Sequence, residues 1–586
     1  MADLAITRLL VANRGEIALR IIRACRELGI ESVAVYSDAD VDAPHVAAAD
    51  HSVRIGPAPA VESYLSIPRI IKAARSTSAA AIHPGYGFLS ENAQFAAACV
   101  EAGVIFVGPP ADAIARMGSK IEARRIAAAA GVPVVPGETP ADQSDAGIRV
   151  AVERIGLPAL IKASAGGGGK GMRTVRDAGA IDESIQAARR EAQAAFGDGT
   201  LYVERLVDRP RHVEVQVFAD ARGHVLHVFE RDCSTQRRHQ KVIEESPSPA
   251  VGDELRSRMT QSAVAAARAV GYVNAGTIEF LVDDGGVFYF LEMNTRLQVE
   301  HPVTEEVVGV DLVRAQLLVA SGAALPWTQH ELTQRGHAIE ARVYAEDPSQ
   351  GFLPQAGRLT EYREPRWPGV RVDSGAAEGS EVSIYYDPMI AKVIARAETR
   401  DLATARLTAA LRDFHIGGIR TNVPFLIAVL ESEAFRRGAI DTAFLDREGA
   451  ALAPSIDVHS ARAAPQRSAA AARTQAAQPA RAAIGHAPYD PWNGGDASRP
   501  ASTPTRAARR RSAGAAAGTL TSPMPATVLK VNVRSGDRVK KGDTVVLLEA
   551  MKMELPVRSP ADATVGAVLC REGELVAADA TLVELR

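Results

Sequence analysis

The sequence predicts a multidomain α/β protein that ends in a small all-β domain. Three observations carry that expectation. The chain opens on a strand–helix–strand series, its middle holds a glycine run followed by a strand hairpin, and its C-terminal end repeats one strand pattern twice. At 586 residues the chain is too long for one hydrophobic core. With 47% hydrophobic residues and a net charge of −3, the composition is that of a globular protein and excludes a chain built mainly to bind nucleic acid.

The elements follow in order. "RLLVANRG" reads as a buried strand, "EIALRIIRACRELG" as an amphipathic helix ending at Gly29, and "SVAVYSD" as the next strand, the βαβ start of an open parallel sheet. Gly15 is a lone turn glycine, and no dinucleotide-binding fingerprint surrounds it. The N-terminus lacks the charged-then-apolar order of a secretory signal, and no apolar run is long enough to span a bilayer. The cysteines, Cys25, Cys99, Cys233 and Cys570, show neither metal spacing nor a disulfide framework. A soluble, cytoplasmic protein is expected, with no membrane and no nucleic acid among its partners.

In the middle region the run Gly166 to Gly169 lies between Lys162 and Lys170. Consecutive glycines let backbone N–H groups close around phosphate oxygens, although the spacing is not that of a P-loop. Next comes the hairpin "TIEFLV"–"DDGG"–"VFYFLEMN". If Val282 pairs with Val287, alternation puts Glu279 and Glu292 on one face as diagonal neighbours, together with Leu281, Phe288 and Phe290. Asn294 joins them, then Arg296, Gln298 and Glu300 if the chain stays extended. Carboxylates beside apolar side chains are costly without a cation, and two carboxylates plus an amide oxygen suit Mg²⁺. The stretch "ERDCSTQRRHQKVIEE" crowds Arg231, Gln236, Arg237, Arg238, His239 and Lys241 ahead of two glutamates. Its residues alone do not distinguish a solvated basic loop from a binding site.

Residues 451–517 turn to Ala, Pro, Arg, Ser and Gln, a linker composition interrupted by the island "HAPYDPWNGG". As a flexible coil the linker would have an r.m.s. span of about 45 Å. Beyond it, Ser522 and Ser559, Pro523 and Pro560, Thr527 and Thr564, Gly536 and Gly573, and Val539 and Val576 match at a constant offset of 37 residues. Both copies alternate apolar and polar residues between Gly-Asp or Gly-Glu turns, which predicts two sheets related by a pseudo-twofold axis. Lys552, in "EAMKMELP", falls at the joint between the copies, where a tight turn would present its amine. Lysine is scarce here, ten residues against 57 arginines, so each one hints that an amine or a point charge is wanted.

The Met-flanked Lys552 within such a repeat closely resembles the biotinyl domain of biotin-dependent carboxylases; the related lipoyl domains usually lack both methionines. The motifs "ANRGEIALRI", "AIHPGYGFLSEN", "KASAGGGGKGM", "RHVEVQV", "RDCSTQRRHQKVIEE", "EMNTRLQVEHPVTE" and "RGHAIEARVYAEDP" resemble, in order, the biotin carboxylases of the ATP-grasp superfamily. The resemblance implies an α/β N-terminal domain (1–117) and an ATP-grasp region (118–321) with a lid at about 134–206. It further implies an α+β C-terminal domain (322–450), the linker, and an all-β, lipoyl-like flattened barrel (518–586). It implies that Lys120 and Lys162 contact ATP phosphates beneath Gly168 and Gly169, and that Glu204, Val207, His212, Gln236 and His239 hold adenine and ribose. Glu279, Glu292 and Asn294 would bind Mg²⁺ or Mn²⁺. Lys241, Arg296, Gln298 and the Val299 backbone would hold bicarbonate, Glu300 would take its proton, Arg342 would stabilise the biotin enolate, and Lys552 would carry biotin. Where the family has "EKYL" the chain has "ERLV", with Arg205 replacing a lysine whose backbone alone is expected to matter.

The function so implied is ATP-dependent carboxylation of biotin through carboxyphosphate, by the α subunit of an acyl-CoA carboxylase. The expected partners are a separate carboxyltransferase β subunit, a biotin protein ligase, and further copies of the chain within a larger complex. Acetyl-CoA and propionyl-CoA are the leading acceptors, with a branched acyl-CoA or pyruvate as alternatives. A catalytically silent carrier or scaffold, or another ATP-grasp ligase fused to a lipoyl domain, are rivals of a different class. The intact Glu279, Glu292, Asn294, Lys241 and Arg296 oppose the first, and the methionines around Lys552 oppose the second.

Overall fold

In the computed structural model, which describes residues 5–164, 171–454, 518–551 and 553–586, the chain begins as its pattern predicts. Strands Arg8–Val11 and Glu31–Ser37 pair in parallel around the helix Gly15–Leu28. Gly29, at φ 69°, closes that helix in the left-handed region, where a side chain would be strained. Strands His51–Gly56, Ala81–His83 and Ile105–Phe106 complete a five-stranded parallel sheet with Arg8–Val11 at its centre. Leu9, Val11, Ile17, Ile21 and Ile22 fill its interior.

The largest sheet has eight antiparallel strands and organises the rest. From one edge it runs through Phe288–Asn294, Asn274–Val282, Arg211–Ala219, Val225–Arg237 and Gln240–Ser246. It then continues without a break through His337–Tyr344, Met389–Ala397 and Val370–Ser374. The ATP-grasp region and the region after residue 322 therefore share one sheet. Its two faces separate by alternation. Val213, Val215 and Val217 join Ile278, Phe280, Phe288 and Phe290 in a core with Met259, Ala263 and Ala266 of the helix Asp253–Ala269. The intervening residues His212, Glu214, Gln216, Thr277 and Glu279 are polar and equally buried. A sheet that buries charge on one face must satisfy it there, and this is the face that bears the site.

The hairpin differs from the expected register. Val282 pairs with Phe288, and the turn closes with the Asp283 N–H donating to the Val287 carbonyl. A β-bulge then places Leu291 as an extra residue, so that Glu279 lies directly opposite Glu292 rather than diagonal to it. The bulge resets the alternation. Phe288 and Phe290 consequently fall on the core face and do not share a face with Glu279. The strand also ends at Asn294, so residues 295–300 do not continue extended as the pattern suggested.

A separate four-stranded antiparallel sheet, Gly137–Glu138, Leu201–Arg205, Ala159–Ala163 and Arg173–Val175, packs against the helices Asp145–Ile155 and Ile181–Phe196. Gly168 and Gly169 lie outside the described residues, as do Lys552 and residues 455–517, which hold nearly all of the expected linker.

At the C-terminus two four-stranded sheets face each other. Ala526–Val531 and Ala563–Val568, Arg538–Val539 and Leu575–Val576, and Thr544–Ala550 and Thr581–Leu585 occupy equivalent positions in the two sheets. The repeat extends to single hydrogen bonds. Ser522 Oγ donates to the Met524 carbonyl and Ser559 Oγ to the Ala561 carbonyl, each across 2.6 Å. Val528, Val546, Leu548, Val565, Leu582 and Val583 fill the space between the sheets.

Phe280 is fully buried, packed edge-to-face on Phe288 at 5.4 Å between ring centroids. Phe280→Ala should therefore cost about 3–5 kcal/mol, read as a shift in the urea midpoint of the transition that reports this region. A cost below ~1 kcal/mol would mean that this face is not a closed core.

Candidate active site

One end of the candidate site is built on the four-stranded sheet. Lys162 and Glu204 are diagonal neighbours across strands Ala159–Ala163 and Leu201–Arg205, and Lys162 Nζ donates to Glu204 Oε2 at 2.5 Å. The Arg124 guanidinium also donates to Glu204, while its other arm binds the Val135 carbonyl. Lys120 begins the helix Lys120–Ala129. Burial pulls its pKa down, Glu292 and Glu204 act against this, and Lys162 adds to the lowering, so these four groups share one neighbourhood. Val207 is half-buried just beyond the strand that carries Glu204. The Arg205 side chain points elsewhere, donating to Tyr289 Oη at 2.8 Å.

Glu279 is contacted by four side chains. Its Oε1 accepts from Lys241 Nζ (2.9 Å), Asn294 Nδ2 (2.8 Å) and Gln298 Nε2 (2.9 Å), and its Oε2 lies 2.9 Å from His212 Nε2. Burial alone would raise its pKa, but Lys241 and His212 outweigh this and hold it well below the usual range. His212, which the resemblance assigned to adenine and ribose, is thus placed against the carboxylate pair.

Glu292 faces Glu279 across the bulge, and no hydrogen bond reaches its carboxylate from the described residues. Burial first and Glu279 second push its pKa up. Like charges directly opposite on a sheet repel, and a divalent cation between them removes that cost. The donor set therefore fits Mg²⁺, which would be held by Glu279, Glu292 and, once Arg296 releases its oxygen, Asn294.

The third part surrounds a cavity of about 250 Å³ lined by Arg14, Tyr86, Arg296, Val299, Arg342 and Tyr386, among others. Lys241 Nζ reaches Glu214 (2.6 Å), Glu300 (2.6 Å) and Gln298 (3.2 Å) as well as Glu279. Burial opposes its charge, but the surrounding anionic groups prevail and keep it an ammonium. Glu300 is bridged on its other oxygen by Arg342 at 3.0 Å, and Arg342 is paired in turn with Glu244 at 2.5 Å. Despite burial, Lys241, Arg342 and Arg231 hold Glu300 far below the usual carboxylate range, so it is ionised and able to accept a proton. Arg296 donates to Glu91 and to Asn294 Oδ1, each at 2.9 Å. Gln236 pairs in register with Lys241, whereas His239 lies exposed in the turn beyond, at φ 66°.

The C-terminal domain touches this region. The Met551 N–H donates to the Ile384 carbonyl at 2.8 Å, and Leu353 packs against the domain's core. Met551 is buried, at φ 53°, in the turn joining strands Thr544–Ala550 and Met553–Arg558. Ile384 lies two residues before the cavity-lining Tyr386.

Several supporting residues escaped the sequence reasoning. Arg231 is fully buried and binds Glu214, Gln216, Thr277 and Thr304; it had stood only as one charge in a basic stretch. Glu91 accepts from the Thr295 N–H and from Arg296, more than 200 residues away in sequence. Their signal was position within quoted motifs, which carries no partner. Glu292→Gln should weaken Mn²⁺ binding, followed by electron paramagnetic resonance of the free ion, at least ~10-fold. Unchanged affinity would remove Glu292 from the ligand set.

Comparison with known proteins agrees along the chain. Residues 5–114 match "Biotin carboxylase, N-terminal domain", 119–328 "Carbamoyl-phosphate synthase L chain, ATP binding domain", 340–447 "Biotin carboxylase C-terminal domain" and 518–585 "Biotin-requiring enzyme". Biotin carboxylase 2 of Bacillus subtilis is 54% identical over 75% of this chain and 99% of its own length. The mitochondrial methylcrotonoyl-CoA carboxylase subunit alpha of Dictyostelium discoideum is 40% identical over 98% of this chain and 95% of its own; the rat subunit matches at 50% over 63% of its length. The Campylobacter jejuni biotin carboxylase solved as a β,γ-ATP complex superposes with a TM-score of 0.73, at 46% identity, over 75% of this chain and 99% of that one. The biotin carboxylase domain of Hydrogenobacter thermophilus 2-oxoglutarate carboxylase, solved with MgADP and bicarbonate, gives 0.74 at 42% identity, over 77% and 99%. On this agreement, joined to the geometry above, the chain belongs to the biotin carboxylase family and is an ATP-dependent ligase that carboxylates biotin, using ATP and Mg²⁺ and bearing a biotinyl domain of its own.

Proposed function

We propose that the carboxyl group is loaded onto biotin held by Lys552 of this chain and then passes to an acyl-CoA on a separate carboxyltransferase β subunit. The observation that supports the loading site best is Glu300, bridged between Lys241 and the cavity-lining Arg342. Bicarbonate bound by Lys241, Arg296, Gln298 and Val299 would give its proton to Glu300. As it displaces Lys241 from that carboxylate, the basicity of Glu300 rises. The bicarbonate oxygen then bonds to the γ-phosphorus of ATP while the bond to the ADP oxygen breaks. Lys120 and Lys162 neutralise charge on the phosphate oxygens, and Mg²⁺ supplies further neutralisation when bound. Arg342 then faces the position where negative charge develops on the acceptor. The contact of Met551 with Ile384, two residues before the cavity-lining Tyr386, supports delivery by the biotinyl domain.

Acetyl-CoA and propionyl-CoA remain the leading acceptors from the sequence. A branched acyl-CoA is the second candidate, favoured by the near full-length match to a methylcrotonoyl-CoA carboxylase α subunit.

With ATP, Mg²⁺ and labelled bicarbonate, the biotinylated chain should acquire label on biotin, and added acyl-CoA should stay uncarboxylated until a β subunit is supplied. Carboxylated acyl-CoA made by the purified chain alone would refute the division of labour. Lys552→Arg keeps the charge but removes the acylatable amine, so streptavidin should no longer detect the protein. A retained signal would place biotin elsewhere.

A further inference from the structure

Lys392 is the most deeply buried lysine among the described residues, with no exposed surface, and none of the roles assigned above uses it. Its strand, Met389–Ala397, places it between Arg342 on one neighbouring strand and Asp373 on the other. Its ammonium donates to the Val299 carbonyl at 2.6 Å. Glu16, from the first turn of the helix Gly15–Leu28, approaches it to 3.4 Å, and Asp373 to 4.0 Å. Glu340, His301 and Arg371 are the other charged or titratable groups that face it. Among the described residues, neither oxygen of Glu16 or of Glu340 has a hydrogen-bond partner.

Val299 sits in the turn 295–300 that carries Arg296, Gln298 and Glu300. The start of this turn is tied by Glu91, which accepts from the Thr295 N–H and from Arg296. Its end is tied through backbone carbonyls. The Gln298 carbonyl lies 2.8 Å from His301 Nδ1, and the Val299 carbonyl takes the Lys392 ammonium. The latter is a charge-assisted bond in a water-poor interior, where such bonds are strongest. It fixes the peptide plane between Val299 and Glu300 and so the root of the Glu300 side chain. A buried ammonium is expensive to keep unless it has such work and such counter-charges.

We propose that Lys392 is a positioning residue for carboxylation: by holding the Val299 carbonyl it sets the turn that binds bicarbonate and aims Glu300, and Glu16 of the N-terminal domain holds Lys392 in place. This rests on the bicarbonate site proposed above. Because Lys392 touches no reacting atom, its loss should act on bicarbonate and leave ATP binding alone. Burial pushes the Glu16 carboxyl up to about 7, so a cavity that loses the ammonium can hold a neutral acid and the fold can survive.

The test uses the full-length biotinylated enzyme, with free biotin as acceptor. Lys392→Met, Glu16→Gln and Arg296→Gln are compared for KM of bicarbonate, KM of ATP, kcat and thermal midpoint. Lys392→Met should raise the bicarbonate KM by ~10- to ~100-fold, with the ATP KM within about 2-fold of the parent. Glu16→Gln should shift it in the same direction by less, and carries the test if Lys392→Met does not fold. An unchanged bicarbonate KM in both, with a raised one in Arg296→Gln, would overturn the inference and leave the site standing. No change in all three would overturn both. Equal loss of kcat and thermal midpoint, with both KM values intact, would mean that Lys392 is merely structural, and would also overturn it.

Discussion

Lys241 has three protons to donate and four side-chain oxygens within reach, from Glu214, Glu279, Gln298 and Glu300. None of these anions could lie so deep without it, and the ammonium could not lie so deep without them. The arrangement spreads outward through pairs that depend on one another. Arg231 takes the remaining oxygen of Glu214, Arg342 that of Glu300, and Glu244 in turn pairs with Arg342. Removing one partner from a buried ion pair typically costs about 3–5 kcal/mol, because the other charge is stranded. Within a network this size, side chains have little freedom to adopt other positions. The same charges that stabilise the fold therefore hold the geometry of the candidate site.

The eight-stranded sheet makes such a network possible. Its alternation sends Val213, Val215 and Val217 to a dry face and His212, Glu214 and Gln216 to the face opposite. Edge-to-edge continuity from Phe288–Asn294 to Val370–Ser374 lets residues from both halves meet on one polar surface. The N-terminal domain closes that surface with Glu16 and Arg14 on the helix Gly15–Leu28 and its approach. Arg14 is itself clamped on Asp40 at 2.6 and 2.7 Å, with its guanidinium over the Tyr386 ring. The cavity wall is thus stiff on the side where Met551 of the biotinyl domain docks against Ile384. Among the described residues that contact includes a backbone hydrogen bond and apolar packing from Leu353.

Alone, the sequence determined the parts whose physics is local or repetitive. Periodicity of 2 and 3.6 marked the opening strands and helix, and Gly29 marked the helix end. The 37-residue offset set the twofold of the last domain down to the Ser522 and Ser559 hydrogen bonds. Residue types and ordered motifs identified the family, because the chemistry of phosphate, metal and bicarbonate demands those side chains wherever the chain folds. The convergence of Lys241, Gln298 and Glu300 was legible only as a set of names.

Tertiary structure decided which groups touch. One extra residue, Leu291, put Phe288 and Phe290 on the face opposite to Glu292, and strict alternation of residue types cannot register a bulge. Residues 295–300 left the extended conformation, yet Gln298 and Glu300 still reached Lys241, because the turn is pinned at one end by Glu91 and at the other by Lys392. Arg231 carried no distinguishing mark in a stretch crowded with basic residues, and only burial separated it from its neighbours. The physical reason is the same throughout. A pairwise charge or hydrogen bond depends on distance in space, and the sequence specifies that distance only through the folding of everything between.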